Sequence, residues 1–223
     1  MEPTAVDPAV IEWTIGKAFQ DGGPAMWAIL VIGIFTFGLI FYRFMDMKKL
    51  SVDKEDFTEK VFGMILRGDL RQAVTFCDSR PAPLTSVVKA GLVQVLNRRP
   101  DEEVQVAMDG AVLRETPKIE GWTGFLAVFG NVATLVGLLG TIIGLIISFA
   151  GVAAADPAQK AQILSLGISH ALNCTGFGLI VAIPALIAYG YFQVRVGRLI
   201  NEMVETSMNV MNLVVANRDK VKE

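Results

Sequence analysis

Charged residues disappear from this chain three times. Residues 22–42, 121–155 and 161–194 contain no Asp, Glu, Lys or Arg, giving uncharged runs of 21, 35 and 34 residues. Each exceeds the ~20 residues an α-helix needs to cross a bilayer. The segments between them are amphipathic. Phe57, Val61 and Ile65, with Phe62 and Leu66, recur at helical spacing. Gly68-Asp69 interrupts the pattern, and Leu70, Ala73, Val74 and Cys77 resume it. Pro81 and Pro83 break it again before Leu84, Val87, Val88, Gly91, Leu92 and Val95. Asp101 is placed to N-cap a fourth helix running to about Glu115, with Pro117 marking a kink or break. No stretch alternates with period two for long enough to make a sheet.

The pattern predicts an all-α membrane protein with three transmembrane helices, at 22–42, 121–151 and 161–194. A helix of 35 residues would be ~52 Å long against a ~30 Å hydrocarbon core. Helices 2 and 3 are therefore expected to extend into a cytoplasmic helical bundle, as the apolar stripe Leu199, Met203, Val210, Leu213 and Val214 supports. Composition agrees: 52% of residues are hydrophobic and 19% charged, where a soluble domain has roughly a quarter charged.

The basic residues orient the chain. One lies in 1–21, thirteen in 43–120, one at Lys160 and five after residue 194. The positive-inside rule then puts the 1–21 segment outside, 43–120 and 195–223 in the cytoplasm, and 152–160 in a short external loop. Four acids and one base precede the first run, so it lacks the basic start of a cleavable signal and should remain in the chain. A net charge of −2 gives no field for nucleic acid. Two cysteines, Cys77 and Cys174, make no disulfide framework.

The second run carries the sharpest pattern. Thr123, Ala127, Gly130, Thr134, Gly137, Thr141, Gly144, Ser148 and Gly151 follow at alternating spacings of four and three. This is a seam of small residues, four of them hydroxylic, on a helix that is otherwise bulky. Such seams pack helices closely, and their hydroxyls often bond only their own backbone. Nine consecutive positions fit a second reading equally: a narrow cavity, or a groove for another helix.

The third run has a shorter seam, Ala171, Thr175, Gly178, Ala182 and Ala185. Ser165, Ser169 and Asn173 lie on a different face. Pro184 removes a backbone donor, frees the carbonyl of Ile180 and should kink the helix. His170 is the only histidine, and a titratable group inside a span is a candidate functional site. The plainer account is a neutral imidazole satisfied by neighbours such as Ser169 or Asn173.

None of the three runs contains a carboxylate, so the chain by itself offers no acid to carry protons through the membrane. No metal-ligand spacing, nucleophile motif or phosphate loop occurs. Neither catalysis on a substrate nor a bound cofactor or metal is expected.

Gly137-Leu138-Leu139-Gly140-Thr141-Ile142-Ile143-Gly144, followed by Gly167-Ile168-Ser169-His170-Ala171-Leu172, Thr175, Gly178-Leu179 and Ala182-Ile183-Pro184-Ala185, resembles the paired signatures of the MotA/TolQ/ExbB proton-channel family. Three spans and a modest cytoplasmic insertion favour its TolQ/ExbB-like branch. The resemblance implies an inner-membrane homopentamer whose second and third helices surround a cavity. Inside would sit a dimer of single-span TolR/ExbD-like partner helices, each supplying an intramembrane Asp, so that the missing carboxylate comes from the partner. Proton flow would drive the partner and deliver mechanical work to the cell envelope. Thr141 and Thr175 match the family's two pore-facing threonines, and Thr134 and Ser148 extend the hydroxylic line. At His170 the chain departs from the pattern, because relatives usually carry Glu there. The competing expectation is a non-conducting scaffold whose seams only pack helices.

Overall fold

The computed structural model describes residues 23–50 and 54–217; the expected external segment 1–21 lies outside them. Among the described residues every regular element is helical: α1 Gly23–Leu50, α2 Lys54–Leu66, α3 Leu70–Ser79, α4 Pro83–Leu96, α5 Asp101–Glu120, α6 Thr123–Ala154 and α7 Lys160–Ala216. Three stretches are long and apolar enough to cross a membrane: Gly23–Lys48, Asp101–Ala154 and Lys160–Ala216. The chain divides into two compact units. One holds the residues up to Ile40 together with Phe125–Ala188, and the other Phe41–Gly124 together with residues from Tyr189 onward.

In the first unit α1, α6 and α7 meet around Met26, Ile29, Ala133, Cys174, Val181 and Ala182, flanked by Ala25, Ile32, Val136 and Phe177. Most bulky side chains of α6 face outward, although Leu126 is fully buried. Leu135, Leu138, Ile142, Ile146 and Phe149 are all exposed, the expected face of a helix solvated by lipid or covered by another subunit.

The second unit is built on the amphipathic stripes of α2 to α5 and the C-terminal half of α7. Phe57, Val61 and Ile65 are buried with Leu70, Ala73 and Cys77, and the rings of Phe57 and Phe76 stack at 5.9 Å. Gly68 takes φ 81° between α2 and α3, a left-handed conformation that glycine enters without a Cβ penalty. At the start of α4 the Thr85 hydroxyl accepts the Ala82 N–H at 2.9 Å, which satisfies one of the helix's orphan donors. On α7, Phe192, Val196, Met203, Val210 and Val214 are buried.

Two expectations at the fourth helix are corrected. Pro100 is the N-cap of α5 and Asp101 its first helical residue, where a carboxylate complements the helix dipole without capping. The helix does not end near Glu115 but runs through Pro117 to Glu120. A proline removes only its own donor, whereas Gly121 at φ 43° turns the chain out of the helix, its N–H returning to Pro117 O. At the C-terminal side no break separates 161–194 from 195–223, because α7 is one helix of 57 residues that includes Pro184.

Candidate functional site

The two membrane seams meet face to face. A Cβ added at Gly137 would lie 3.0 Å from Cys174 O and 3.3 Å from the Cα atoms of Gly178 and Thr175. One added at Gly178 would lie 2.8 Å from Ala133 O. Backbone therefore approaches backbone here, which only glycine permits. Gly130 faces Ala185 and Leu186, Gly144 faces Ala171 and His170, and Gly151 faces Ile163. Ala171 and Ala182 are buried on the α7 side. The buried line on α6 also includes Ala133 and Gly140, which the four-three seam omits. A Cβ at Gly140 would meet Cys174 Cβ at 2.9 Å and Ala25 Cβ at 3.0 Å, so this position seats α1 as well as α7.

This approach brings Thr141 and Thr175 together. Their hydroxyls hydrogen-bond each other across the two helices. Thr141 Oγ1 also lies 3.1 Å from Gly137 O and 3.0 Å from Ala171 O, and Thr175 Oγ1 lies 3.5 Å from Gly137 O. Two hydroxyls carry two protons. If Thr175 donates to Thr141 and Thr141 donates to Ala171 O, both protons are used and Thr175 keeps free lone pairs. If the first bond reverses, the Thr175 proton has only the long contact to Gly137 O and is available to another acceptor. Both threonines are half-buried, at the edge of the glycine seam rather than beneath it.

The other expected residues divide. Thr134 Oγ1 donates to Gly130 O of its own helix at 3.1 Å, the local bond common for membrane hydroxyls. Ser148 is 4% exposed and packs against Gly167; its Oγ has no hydrogen-bond partner among the described residues. His170 is half-buried, with its ring against Gly23 at the start of α1 and against Gly144. Ser165 and Ser169 are exposed and Asn173 half-buried.

Thr123, the first residue of the sequence seam, serves a different cluster. Arg43 is 1% exposed, and its Nε donates to Thr123 Oγ1 at 2.8 Å. Nη2 donates to Ile119 O and, at 2.9 Å, to Glu120 O, while Nη1 pairs with Asp46 at 2.6 Å. The guanidinium thus caps the last carbonyls of α5, where the helix dipole favours a cation. In sequence Arg43 reads only as the first charge after an apolar run; nothing local marks it as buried.

No group of three or more His, Cys, Asp or Glu side chains suited to a metal occurs among the described residues. Cys77 is no nucleophile either, since burial pushes its thiol up to about 11 and leaves it protonated at neutral pH.

Comparison with known proteins gives this geometry a family. Residues 79–205 match the model of the MotA/TolQ/ExbB proton channel family. The chain is 31% identical over 207 residues to the Tol-Pal system protein TolQ of Pseudomonas aeruginosa, covering 87% of this chain and 88% of that protein. It is 32% identical over 118 residues to the biopolymer transport protein ExbB of Pseudomonas putida, covering 53% and 36% of the two chains. To ExbB of Salmonella typhimurium it is 39% identical over 74 residues, 33% of this chain and 30% of that one. The matched span contains α6, most of α7, and the paired threonines. The chain is a membrane protein that belongs to the MotA/TolQ/ExbB proton channel family.

Proposed function

We propose that this chain is the channel subunit of a proton-driven motor in the bacterial inner membrane, working as a homopentamer around a dimer of single-span TolR/ExbD-like partner helices. It performs no catalytic step on a substrate and needs no cofactor. The observation that carries the reading is the Thr141–Thr175 hydroxyl pair, bonded across two helices in a membrane domain whose three apolar runs contain no carboxylate. Each partner helix supplies an Asp that takes up and releases protons. With Thr175 donating inward, its lone pairs accept the O–H of a protonated Asp. With the pair reversed, the Thr175 proton is donated to an ionised one. The switch moves a hydrogen-bond polarity and buries no charge in the chain itself. A unit charge crossing ~100 mV releases about 2.3 kcal/mol, enough to bias partner rotation or displacement, which sends work to the cell envelope. Thr134 and Ser148 extend the same hydroxylic line, and His170 stands where the family resemblance implies a Glu.

The test is proton uptake by liposomes containing the chain with and without a co-purified single-span partner. Thr141→Val and Thr175→Val should leave assembly intact and abolish uptake coupled to the partner. Serine at either position, which keeps the hydroxyl, should retain it.

The close glycine contacts favour a second reading, a scaffold whose seams only hold helices together. There the two valine variants would behave as wild type while a bulky residue at Gly137 would dissolve the assembly. Full activity in both valine variants would remove the pore role.

A further inference from the structure

Two helices of the second unit carry apolar residues on the side turned away from its core. On α5 the buried face is Val104, Met108, Ala111 and Ile119, yet Val106 is 70% and Leu113 73% exposed. With Gly110 and Pro117 these two form a stripe spaced four, three and four. On α7 the buried face is Met203, Val210 and Val214, while Val204, Met208 and Val215 are exposed and Met211 is half-buried. These last four also follow at four, three and four. Residues so spaced share one helix face. Glu102, Glu103, Asp109 and Arg114 on α5, with Glu205, Asn209 and Asn212 on α7, are exposed around the stripes. Hydrocarbon does not solvate that density of charge and amide, so bilayer lipid covers neither stripe.

The two stripes match when read in opposite directions. Val106 comes level with Val215, Gly110 with Met211, Leu113 with Met208 and Pro117 with Val204. Gly110 supplies a notch, since a Cβ built there would meet only Arg114 Nη1, at 3.5 Å, and the unbranched Met211 suits such a gap. In the same register Arg114 stands within two residues of the level of Glu205, on flanks that meet in an antiparallel pair. Glu205 pairs with Lys54 at 2.6 Å but is exposed, and a carboxylate accepts from more than one donor. The direction has an independent basis. The chain passes from α5 into the first unit and returns from it into the C-terminal half of α7. Copies standing the same way in one membrane therefore offer each other these helices antiparallel.

We infer that the α5 stripe of one copy of this chain docks on the α7 stripe of the next. The stripes lie on different helices, so the contact is head-to-tail, and its repetition closes a ring. This deepens the proposed homopentamer by naming a surface that joins its subunits outside the apolar runs. It rests on that reading for the presence of several copies and is independent of conduction.

Disulfide crosslinking between differently tagged copies tests it. Chains carrying Leu113→Cys and chains carrying Met208→Cys are coexpressed, and the full-length assembly is oxidised in detergent. Both positions are exposed, and the native Cys77 and Cys174 are buried, so the substitutions leave the core intact. The mixed pair should form a disulfide-linked dimer, as should Val106→Cys with Val215→Cys. Leu113→Cys with Val215→Cys lies seven residues out of register, about 10 Å along the axis. That exceeds the ~7 Å Cα separation a disulfide spans, so this pair should crosslink about ten-fold more slowly. Arg114→Glu sets like charges level and should slow the in-register crosslink about five-fold, and adding Glu205→Arg should restore it. A rate unmoved by Arg114→Glu overturns the register, as does equal crosslinking out of register. Leu113→Cys chains that link only to one another overturn the head-to-tail contact. Native mass spectrometry of the same samples separates this surface from the ring itself. An intact homo-oligomer without the in-register crosslink overturns the surface and leaves the ring standing, whereas a monomeric chain removes both.

Discussion

Arg43 and Thr123 lie eighty residues apart in the chain, and the guanidinium Nε donates to the threonine hydroxyl at 2.8 Å in a buried contact. The same guanidinium binds Ile119 O, Glu120 O and Asp46, and Gly121 between them has room for no Cβ: one built there would sit 3.0 Å from Arg43 Nη1. A single residue of α1 thereby holds the turn from α5 into α6.

Removing that residue should be costly. Arg43→Gln strands two helix-end carbonyls and the Thr123 hydroxyl in a buried place, and losing one member of such a network costs about 3 kcal/mol. Arg43→Lys keeps the charge but loses the planar fork and should recover only part. Thermal unfolding in detergent measures both. A melting temperature unchanged by Arg43→Gln would contradict the clamp.

The glycine seam makes opposite predictions two residues apart. A Cβ at Gly178 meets Ala133 O at 2.8 Å, whereas at Gly176 nothing lies within 4 Å. Gly178→Ala should destabilise by about 1–3 kcal/mol. Gly176→Ala should be neutral or stabilise by up to about 1 kcal/mol, since alanine is the better helix former. Equal effects at the two positions would show that backbone proximity does not set this helix pair.

His170 packs on Gly23 and Gly144 and is the chain's only histidine. If the imidazole exchanges protons during conduction, His170→Gln and His170→Ala should both alter the pH profile of proton uptake. Thr134→Val should not, because that hydroxyl bonds its own helix. A profile unaltered in both histidine variants assigns the ring to packing alone.

The Cys77 thiol supplies a pH test of the second unit. Its ordinary value of 9.0 rises to about 11 through burial. Between those values the folded chain keeps a proton that the unfolded chain has lost, so stability is complete below about pH 9 and declines as pH rises toward 11. Cys77→Ala should flatten this decline in the unfolding midpoint. Thiol reagents should modify Cys77 slowly in the native chain at pH 8, and fast modification there would place the thiol in a more open environment.

Much of this molecule is legible along the chain. Missing charge marks three spans, and Gly68, Pro81 and Pro83 punctuate the helices between the first and second spans because their backbone constraints are local. Pro117 is the instructive exception. Its missing donor is a one-bond loss that α5 absorbs, while the conformation of Gly121 ends the helix.

The seam shows the same division within one pattern. Spacing alone places Thr123, Thr134, Thr141 and Ser148 on one stripe, and composition alone makes the stripe small and weakly polar. Tertiary contact separates them. Thr123 binds Arg43, Thr134 its own backbone and Thr141 its counterpart Thr175, while Ser148 packs on Gly167. The sequence by itself determined the helices, their apolar lengths and which faces could approach closely, because these follow from residue type and the 3.6-residue period. Only the tertiary structure decided which hydroxyls meet and which charge is buried. Those outcomes depend on what a second helix, dozens of residues away, brings within 3 Å, and no local period encodes that.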